Sequence, residues 1–211
     1  AMPTITLPTR TGYTFNGYFD ATSGGTKYYD ANGSSAKNWD KTSNTTLYAR
    51  WTAKQYTITY KDQNNATFSG THASGYPTKH TYGTATTLKT ATKTGYTFGG
   101  WFTNSDCTGN AVTSLGATGY TSDITLYAKW TANQYDINYR DQGDVNFSGT
   151  HEVGYPQKHT YGTATELKTA TKTDYEFGGW FTTSTCTGNA ITTLGATAYT
   201  NNITLYAKWT R

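Results

Sequence analysis

Residues 124–130 read Ile-Thr-Leu-Tyr-Ala-Lys-Trp, and almost the same phrase ends at Trp51 and at Trp209. The closing tryptophans are separated by two equal steps of 79 residues, from 51 to 130 and from 130 to 209. Self-similarity at a fixed period identifies a tandem array, in which each copy is one folding unit. A function shared by the copies must therefore use residues that recur in them.

The copies differ in completeness. Residues 55–133 align with 134–211 without a change of register, whereas the upstream copy has only the part that corresponds to the second half of a unit. We therefore predict a partial unit at 1–54 that lacks its N-terminal strands, and complete units at 55–133 and 134–211. We expect the chain to be a monomeric fragment of a longer array that opens inside a unit.

The composition narrows the class of protein. Aromatic residues make up 16% of the chain, so Tyr, Trp and Phe are expected to supply most of the apolar core. Charged residues make up 14%, and the net charge of +4 is spread without a Lys/Arg run, which argues against a nucleic-acid surface. Since no stretch reaches the roughly 18 apolar residues of a membrane helix, we expect no membrane insertion in this segment.

Alternation with a period of two predicts strands at both ends of a unit. Tyr56, Ile58 and Tyr60 alternate with threonines, and residues 124–130 alternate in the same way. Two more strands are predicted at 82–88 and 96–102, the second with a bulge at Gly99-Gly100. The best helical candidate is 111–115, with its counterpart 190–194, and both are too short for more than one or two turns.

The phrases at 95–103 and 124–130 resemble the Listeria-Bacteroides repeat, also called the internalin B-repeat. The resemblance recurs three times and covers most of the chain, and residues 64–78 are interpreted as an insertion. It implies a β-rich α+β fold made of tandem β-grasp-like (ubiquitin-like) units. It also implies a location on the outside of a bacterial cell, in large secreted or surface-anchored proteins where such repeats act as stalks or adhesive modules.

The connectors between units favour a stiff arrangement. Residues 52–54 and 131–133 lead from the closing strand of one unit into the opening strand of the next, and neither connector contains Gly or Pro. Consecutive units should therefore be held in limited orientations. We predict that the units are arranged as an elongated, semi-rigid rod.

Comparison of the copies argues against catalysis. Only Asp62 and its counterpart Asp141 recur as carboxylates, while other acidic residues are replaced; Asp174, for example, stands where the second copy has Gly95. His72 and His80 recur as His151 and His159, and they are interpreted as surface or hydrogen-bonded residues. Because acid-base and nucleophilic chemistry needs a positioned pair of groups, we predict no enzyme activity and no catalytic residues.

No metal or cofactor is expected either. The two His and one Cys of each unit match no zinc-ligand spacing, and no Asp-rich calcium loop is present. Cys107 and Cys186 are interpreted as small buried residues. Oxidation with another protein segment remains an alternative, as does a Lys-Asn isopeptide crosslink within a unit. A Cys107–Cys186 bridge is disfavoured, since it requires a Cα separation of about 4.4 to 6.8 Å.

The recurring aromatic residues provide the candidate sites. Five tryptophans are predicted to form the repeat core: Trp51, Trp101, Trp130, Trp180 and Trp209. Tyr48, Tyr127 and Tyr206 lie on the opposite face of the closing strand and are the candidate ligand-binding residues.

The sequence supports two hypotheses about function. The first hypothesis is a non-enzymatic stalk or adhesive segment of an extracellular, bacterial cell-surface protein. The alternative is a binding module that presents exposed aromatics, with a glycan or a host or cell-surface protein as its partner.

Overall fold

A computed structural model describes residues 1–211, and short strands account for nearly all of its regular structure. The first repeat contains β1 (Tyr13–Phe19), β2 (Lys27–Tyr29) and β3 (Tyr48–Ala53). The second repeat contains β4 (Gln55–Asp62), a 3-10 helix (Gln63–Asn65), β5 (Ala66–Thr67), β6 (Thr71–His72), β7 (Lys79–Thr81), β8 (Thr86–Thr87), β9 (Ala91–Thr92), β10 (Tyr96–Phe102), β11 (Ser114–Leu115) and β12 (Ile124–Ala132). The third contains β13 (Gln134–Asp141), β14 (Val145–Asn146), β15 (Thr150–His151), β16 (Lys158–Thr160), β17 (Thr165–Glu166), β18 (Ala170–Thr171), β19 (Glu176–Phe181), β20 (Thr193–Leu194) and β21 (Ile203–Thr210).

The contacts divide the chain into two compact units. One comprises residues 1–90 and 100–129, and the other comprises 91–99 and 130–211. Each unit therefore includes one place where successive repeats are joined.

The closing strand lies in the middle of the main sheet of each complete repeat. In the third repeat the sheet has the order β14-β13-β21-β19, with β16 paired to the other end of β13. β13 and β21 are parallel, with Ile137 opposite Ile203, whereas β19 and β21 are antiparallel. The second repeat has the same arrangement, β10-β12-β4-β5 with β7 on β4. A parallel pair requires a crossover connection, so the rest of each repeat lies between its first and last strands.

The core follows from this central position. Leu205 and Ala207 of β21 are completely buried, and Ile137, Ile203, Leu194 and Trp180 pack around them. Leu126 and Ala128 are buried to the same extent in β12. The alternation that predicted these strands therefore also identified their buried face.

The first repeat forms a three-stranded antiparallel sheet without a parallel pair. β1 pairs with β2 on one side and β3 on the other, both antiparallel. Its core contains Phe15 and Tyr28, with the Tyr28 side chain only 1% exposed.

The predicted glycine bulge appears in the register of the third repeat. The pairing of β19 with β21 shifts between Phe177 and Trp180, at the counterpart of Gly99-Gly100. Three steps lead from Phe177 to Trp180 on β19, against two from Trp209 to Ala207 on β21, so the bulge contributes one extra residue and both aromatic rings pack against the core.

The helical candidate at 111–115 was wrong, and the same applies to 190–194. Ser114–Leu115 forms β11, which pairs antiparallel with β8, and Leu115 is completely buried. Thr193–Leu194 pairs with β17 in the same way. A buried leucine and a strand partner therefore outweigh the weak helical tendency of these segments. The predicted strand at 82–88 is extended and paired only at Thr86–Thr87.

One residue joins successive repeats. Lys54 alone separates β3 from β4, and Asn133 alone separates β12 from β13. The 3-10 turn is the only helical element, and it is far shorter than a helix that crosses a bilayer.

Candidate functional site

The five recurring tryptophans occupy two kinds of position. Trp101 and Trp180 are 2% exposed, and their indole N–H groups donate to the carbonyl oxygens of Lys89 and Lys168 at 2.7 Å. The other three lie near the C-terminal ends of their closing strands and are half-buried: Trp51, Trp130 and Trp209. Each of these packs against a phenylalanine of the neighbouring strand, Phe15, Phe98 or Phe177, with ring centroids 5.2 to 5.4 Å apart.

The candidate ligand-binding tyrosines are unequally accessible. Tyr48 is 40% exposed, whereas Tyr127 and Tyr206 are half-buried. The two half-buried residues lie in the centre of their sheets, because β12 and β21 have a partner strand on each side. Tyr48 is therefore the most accessible of the three.

The recurring carboxylate, Asp141 in the third repeat, binds both the loop that contains Ser148 and Trp209 of the closing strand. Asp141 is 6% exposed and accepts a hydrogen bond from Trp209 Nε1 at 2.7 Å. It also accepts hydrogen bonds from the Ser148 amide, at 3.1 Å, and from the Ser148 hydroxyl. In the second repeat, the amide and hydroxyl of Ser69 donate to Asp62 in the same way. We call Asp141, Ser148 and Trp209 the aspartate clamp, in which both carboxylate oxygens accept hydrogen bonds.

The segment interpreted as an insertion supplies an aromatic cluster. In the third repeat, the ring of His151 stacks on Phe147 at 4.2 Å and on Tyr155 at 3.8 Å. Tyr139 and Trp180 complete this cluster, with Tyr139 edge-on to His151 at 4.6 Å. The second repeat repeats it with Phe68, His72, Tyr76, Tyr60 and Trp101. This segment therefore covers the buried tryptophan with flat rings.

Burial within the cluster shifts the pKa of its polar members. It lowers the pKa of His72 and of His151, because the charged imidazolium loses its hydration. It raises the pKa of Tyr60 to about 12 and also raises the pKa of Tyr139. The Tyr139 hydroxyl donates to the Pro156 carbonyl at 2.6 Å, and Tyr60 donates to Pro77 in the same way. The cluster thus holds a neutral imidazole among aromatic rings.

The second pair of histidines is fully buried. His80 Nδ1 lies 2.8 Å from Thr86 Oγ1, and His159 Nδ1 lies 2.8 Å from Thr165 Oγ1. The ring of His80 is edge-on to Tyr120. These histidines contact a threonine and a tyrosine, and the recurring aspartate is bound by serine instead.

The cysteines are buried at a tight turn. Cys107 and Cys186 are 2% and 3% exposed, and both are free thiols. Their Sγ atoms lie 3.7 and 3.8 Å from the carbonyl oxygens of Tyr127 and Tyr206. Burial raises the pKa of both thiols, which reduces the fraction present as reactive thiolate. No group of three or more His, Cys, Asp or Glu side chains is placed to hold a metal ion.

Comparison of the copies missed Trp39, because this residue occurs only in the first repeat. It lies in the segment between β2 and β3, is 45% exposed and packs against the buried Tyr28 at 5.4 Å. The hydroxyl of Tyr28 donates to Asp40, and Lys37 also binds Asp40. Lys41 forms an ion pair with Asp20 at 2.8 Å. The residues beside Trp39 are therefore anchored while its ring is accessible.

We predict that Asp141→Asn destabilises the third repeat by about 1.5–3 kcal/mol, the usual effect of losing hydrogen bonds to a buried charged group. Urea-induced unfolding measures the effect. The control is Asp144→Asn, whose exposed side chain forms an ion pair with Arg140, and it should change stability by less than about 0.5 kcal/mol. Equal stability of the two variants would show that the aspartate clamp does not stabilise the repeat.

The histidines of the aromatic clusters should make stability depend on pH between about 5 and 7.5. Their pKa is lowered in the folded state, so the unfolded chain binds more protons below the ordinary value of about 6.5, and stability must fall as the pH falls through that value. Urea unfolding at about pH 5 and about pH 7.5 measures the loss in the free energy of unfolding. The double variant His72→Phe, His151→Phe retains the stacking and should lose less stability on acidification. An unchanged pH dependence in that variant would contradict the assignment.

One family of repeats matches most of the chain. The Listeria-Bacteroides repeat domain matches residues 2–50, 56–129 and 135–208. No solved structure matches the chain.

The chain is also similar to longer bacterial proteins. A protein of Evansella cellulosilytica with the provisional name Gly-rich membrane protein is 30% identical over 215 residues, which cover 95% of this chain and 22% of that protein. Internalin H of Listeria monocytogenes is 38% identical over 133 residues, 61% of this chain and 21% of its own length. The chain therefore spans about a fifth of each of these relatives. With three matches that together cover most of its length, the chain belongs to the Listeria-Bacteroides repeat family.

Proposed function

We propose that this chain is a non-enzymatic segment of a bacterial cell-surface or secreted protein, where it acts as a stalk or spacer. Its β-grasp-like units are arranged as an elongated rod. The similarity to Internalin H and to a Gly-rich membrane protein supports the location at the cell surface.

The observation that carries the proposal is the connection between repeats. The amide of Lys54 donates to the Gly12 carbonyl at 2.8 Å, and the Lys54 carbonyl accepts from the Tyr82 amide at 2.9 Å. Asn133 forms the same two bonds, with Gly95 and Tyr161, both at 2.9 Å. A one-residue connector that is hydrogen-bonded on both sides restricts the relative motion of the two repeats it joins. Such restriction is what a spacer requires.

The uses of the recurring polar residues support a structural role. The aspartate clamp, the threonine-bound histidines and the buried thiols all contribute to the folded repeat. None of these groups is paired with another in the manner of a general base and its nucleophile.

Small-angle X-ray scattering tests the rod. A compact globule of this length has a radius of gyration of about 17 Å, so an elongated chain should give a clearly larger value and a pair-distance distribution with a long tail. Measurements at several concentrations exclude association as the cause. A value near about 17 Å with a symmetric distribution would contradict the proposed arrangement.

Trp39 favours a second function, the recognition of a neutral saccharide. The ring borders an open depression of about 510 Å³ that is also lined by Lys41, Thr42, Ser43, Asn44 and Thr45. Hydroxyl, amide and ammonium groups beside an exposed aromatic face match the alternating polar and apolar surfaces of a sugar. The residues on either side of the Trp39 ring are tied to the first repeat, because the Tyr28 hydroxyl donates to Asp40 and Lys41 pairs with Asp20, so less ordering is needed on binding.

A printed glycan array tests this second function. Saturable binding by the chain should be lost in Trp39→Ala and retained in the matched variant Tyr206→Ala. Binding that survives Trp39→Ala but disappears in Tyr48→Ala would move the site to the closing strand. Absence of binding to any glycan would leave the spacer as the function of this segment.

A further inference from the structure

The turn before the second-half strand of a repeat carries a glycine that is covered by a tyrosine ring. Gly12 and Gly95 are buried and have φ values of +76° and +78°. A Cβ atom added to Gly12 would lie 2.2 Å from ring carbons of Tyr82, and one added to Gly95 would lie 2.2 Å from those of Tyr161. Both the backbone conformation and the space therefore require glycine.

The contact is reciprocal. Tyr96, next to Gly95, lies edge-on to Tyr161 with centroids 5.6 Å apart, and its hydroxyl lies 2.8 Å from the position of a Cβ on Gly162. Tyr13 has the same relation to Tyr82 at 5.5 Å and to Gly83 at 2.7 Å. Each Gly-Tyr turn thus receives the Tyr-Gly turn of the following repeat. We call this contact the glycine–tyrosine joint.

A cation supports the turn from the other side. The Arg10 guanidinium lies 4.1 Å from the centre of the Tyr13 ring, and the Lys93 ammonium lies 4.3 Å from that of Tyr96. Together with the hydrogen bonds of Lys54 and Asn133, these contacts fix the position of the tyrosine that faces the next repeat.

The third repeat has the same turn with a different residue at its centre. The Tyr175 amide donates to the Lys172 carbonyl at 3.1 Å, and the Lys172 ammonium lies 4.4 Å from the ring, as in the other copies. Asp174 replaces the glycine, with φ at +63°, and Tyr175 is 38% exposed. Asp tolerates this backbone conformation better than most residues, but its Cβ takes the space that a tyrosine ring covers in the other two copies.

We propose that the Gly-Tyr turn is a docking surface specific for the Tyr-Gly turn of a following repeat, and that Asp174 closes this surface in the third repeat. The biological meaning of this selectivity rests on the proposed spacer function. The partner that fits Gly12 and Gly95 is another repeat with tyrosine and glycine at the positions of Tyr161 and Gly162. A repeat of this kind does not fit on Asp174.

Hydrogen exchange in the full chain tests the requirement for glycine. Gly95→Asp should accelerate exchange at the Asn133 and Tyr161 amides, the two donors of the joint, by about tenfold or more, since each factor of ten corresponds to about 1.4 kcal/mol. The matched control is Gly109→Asp, because Gly109 has φ at +79° and no atom near its added Cβ. This control should leave both amides as protected as in the parent chain.

Two further outcomes decide the interpretation. Unchanged protection of both amides in Gly95→Asp would overturn the proposal. If β4 and β12 also lose protection in that variant, Tyr161→Ala provides the test, because it opens the joint without changing the turn. The double variant Gly95→Asp, Tyr161→Ala should then exchange no faster at Asn133 than Tyr161→Ala alone; additive effects would contradict a steric role of the ring.

An extended chain tests Asp174 directly. A second copy of residues 133–211 placed after Arg211 continues the step of 79 residues. With Asp174 retained, the backbone amides of the new joint should exchange rapidly. With Asp174→Gly, their exchange should slow by about tenfold. Equal protection in both versions would contradict the selectivity. Because exchange is read at the joint itself, this result does not depend on whether scattering confirms the proposed rod.

Discussion

The parallel pairing of the first and last strands is the constraint on which each complete repeat depends. It places the closing strand between the opening strand and a bulged antiparallel strand, and it buries Leu205 and Ala207 completely. All intervening residues must then cross from one parallel strand to the next. They do so in short strands and turns, and the interior is completed by Trp180 and the rings that cover it. A chain with few aliphatic residues thereby obtains a core from large flat side chains.

The contacts of the polar residues that recur between copies assign structural roles to them. Asp141 joins the Ser148 loop to Trp209, and His151 fills the gap between Phe147 and Tyr155 as a neutral ring. A repeat that contains a carboxylate, an imidazole and a thiol has the residue types of a catalytic site. In the structure, however, each of these groups contacts a different set of structural partners.

Much of the sheet could be predicted from the sequence, because period-two alternation directly encodes the buried face of β4 and β12. The segment 111–115 could not, since its extended form depends on pairing with β8, a contact between distant residues. Trp101 was placed in the core as one of the recurring tryptophans, and it is 2% exposed, but alternation alone could not assign its face because it follows a glycine bulge. Trp130 was expected in the core, but it is half-buried near the end of its strand, where it packs against Phe98. Trp39 escaped notice because a comparison between copies detects only residues that recur.

The same parallel pair determines how a repeat responds to mechanical tension. Force transmitted along the chain enters the third repeat at the beginning of β13 and leaves at the end of β21, and in parallel neighbours these points lie at opposite ends of the pair. The strands are therefore pulled past each other, and the bonds from Ile137 to Asp141 share the force instead of breaking in succession. β4 and β12 have the same geometry. Each complete repeat is thus loaded in shear, the direction in which a sheet resists extension most strongly.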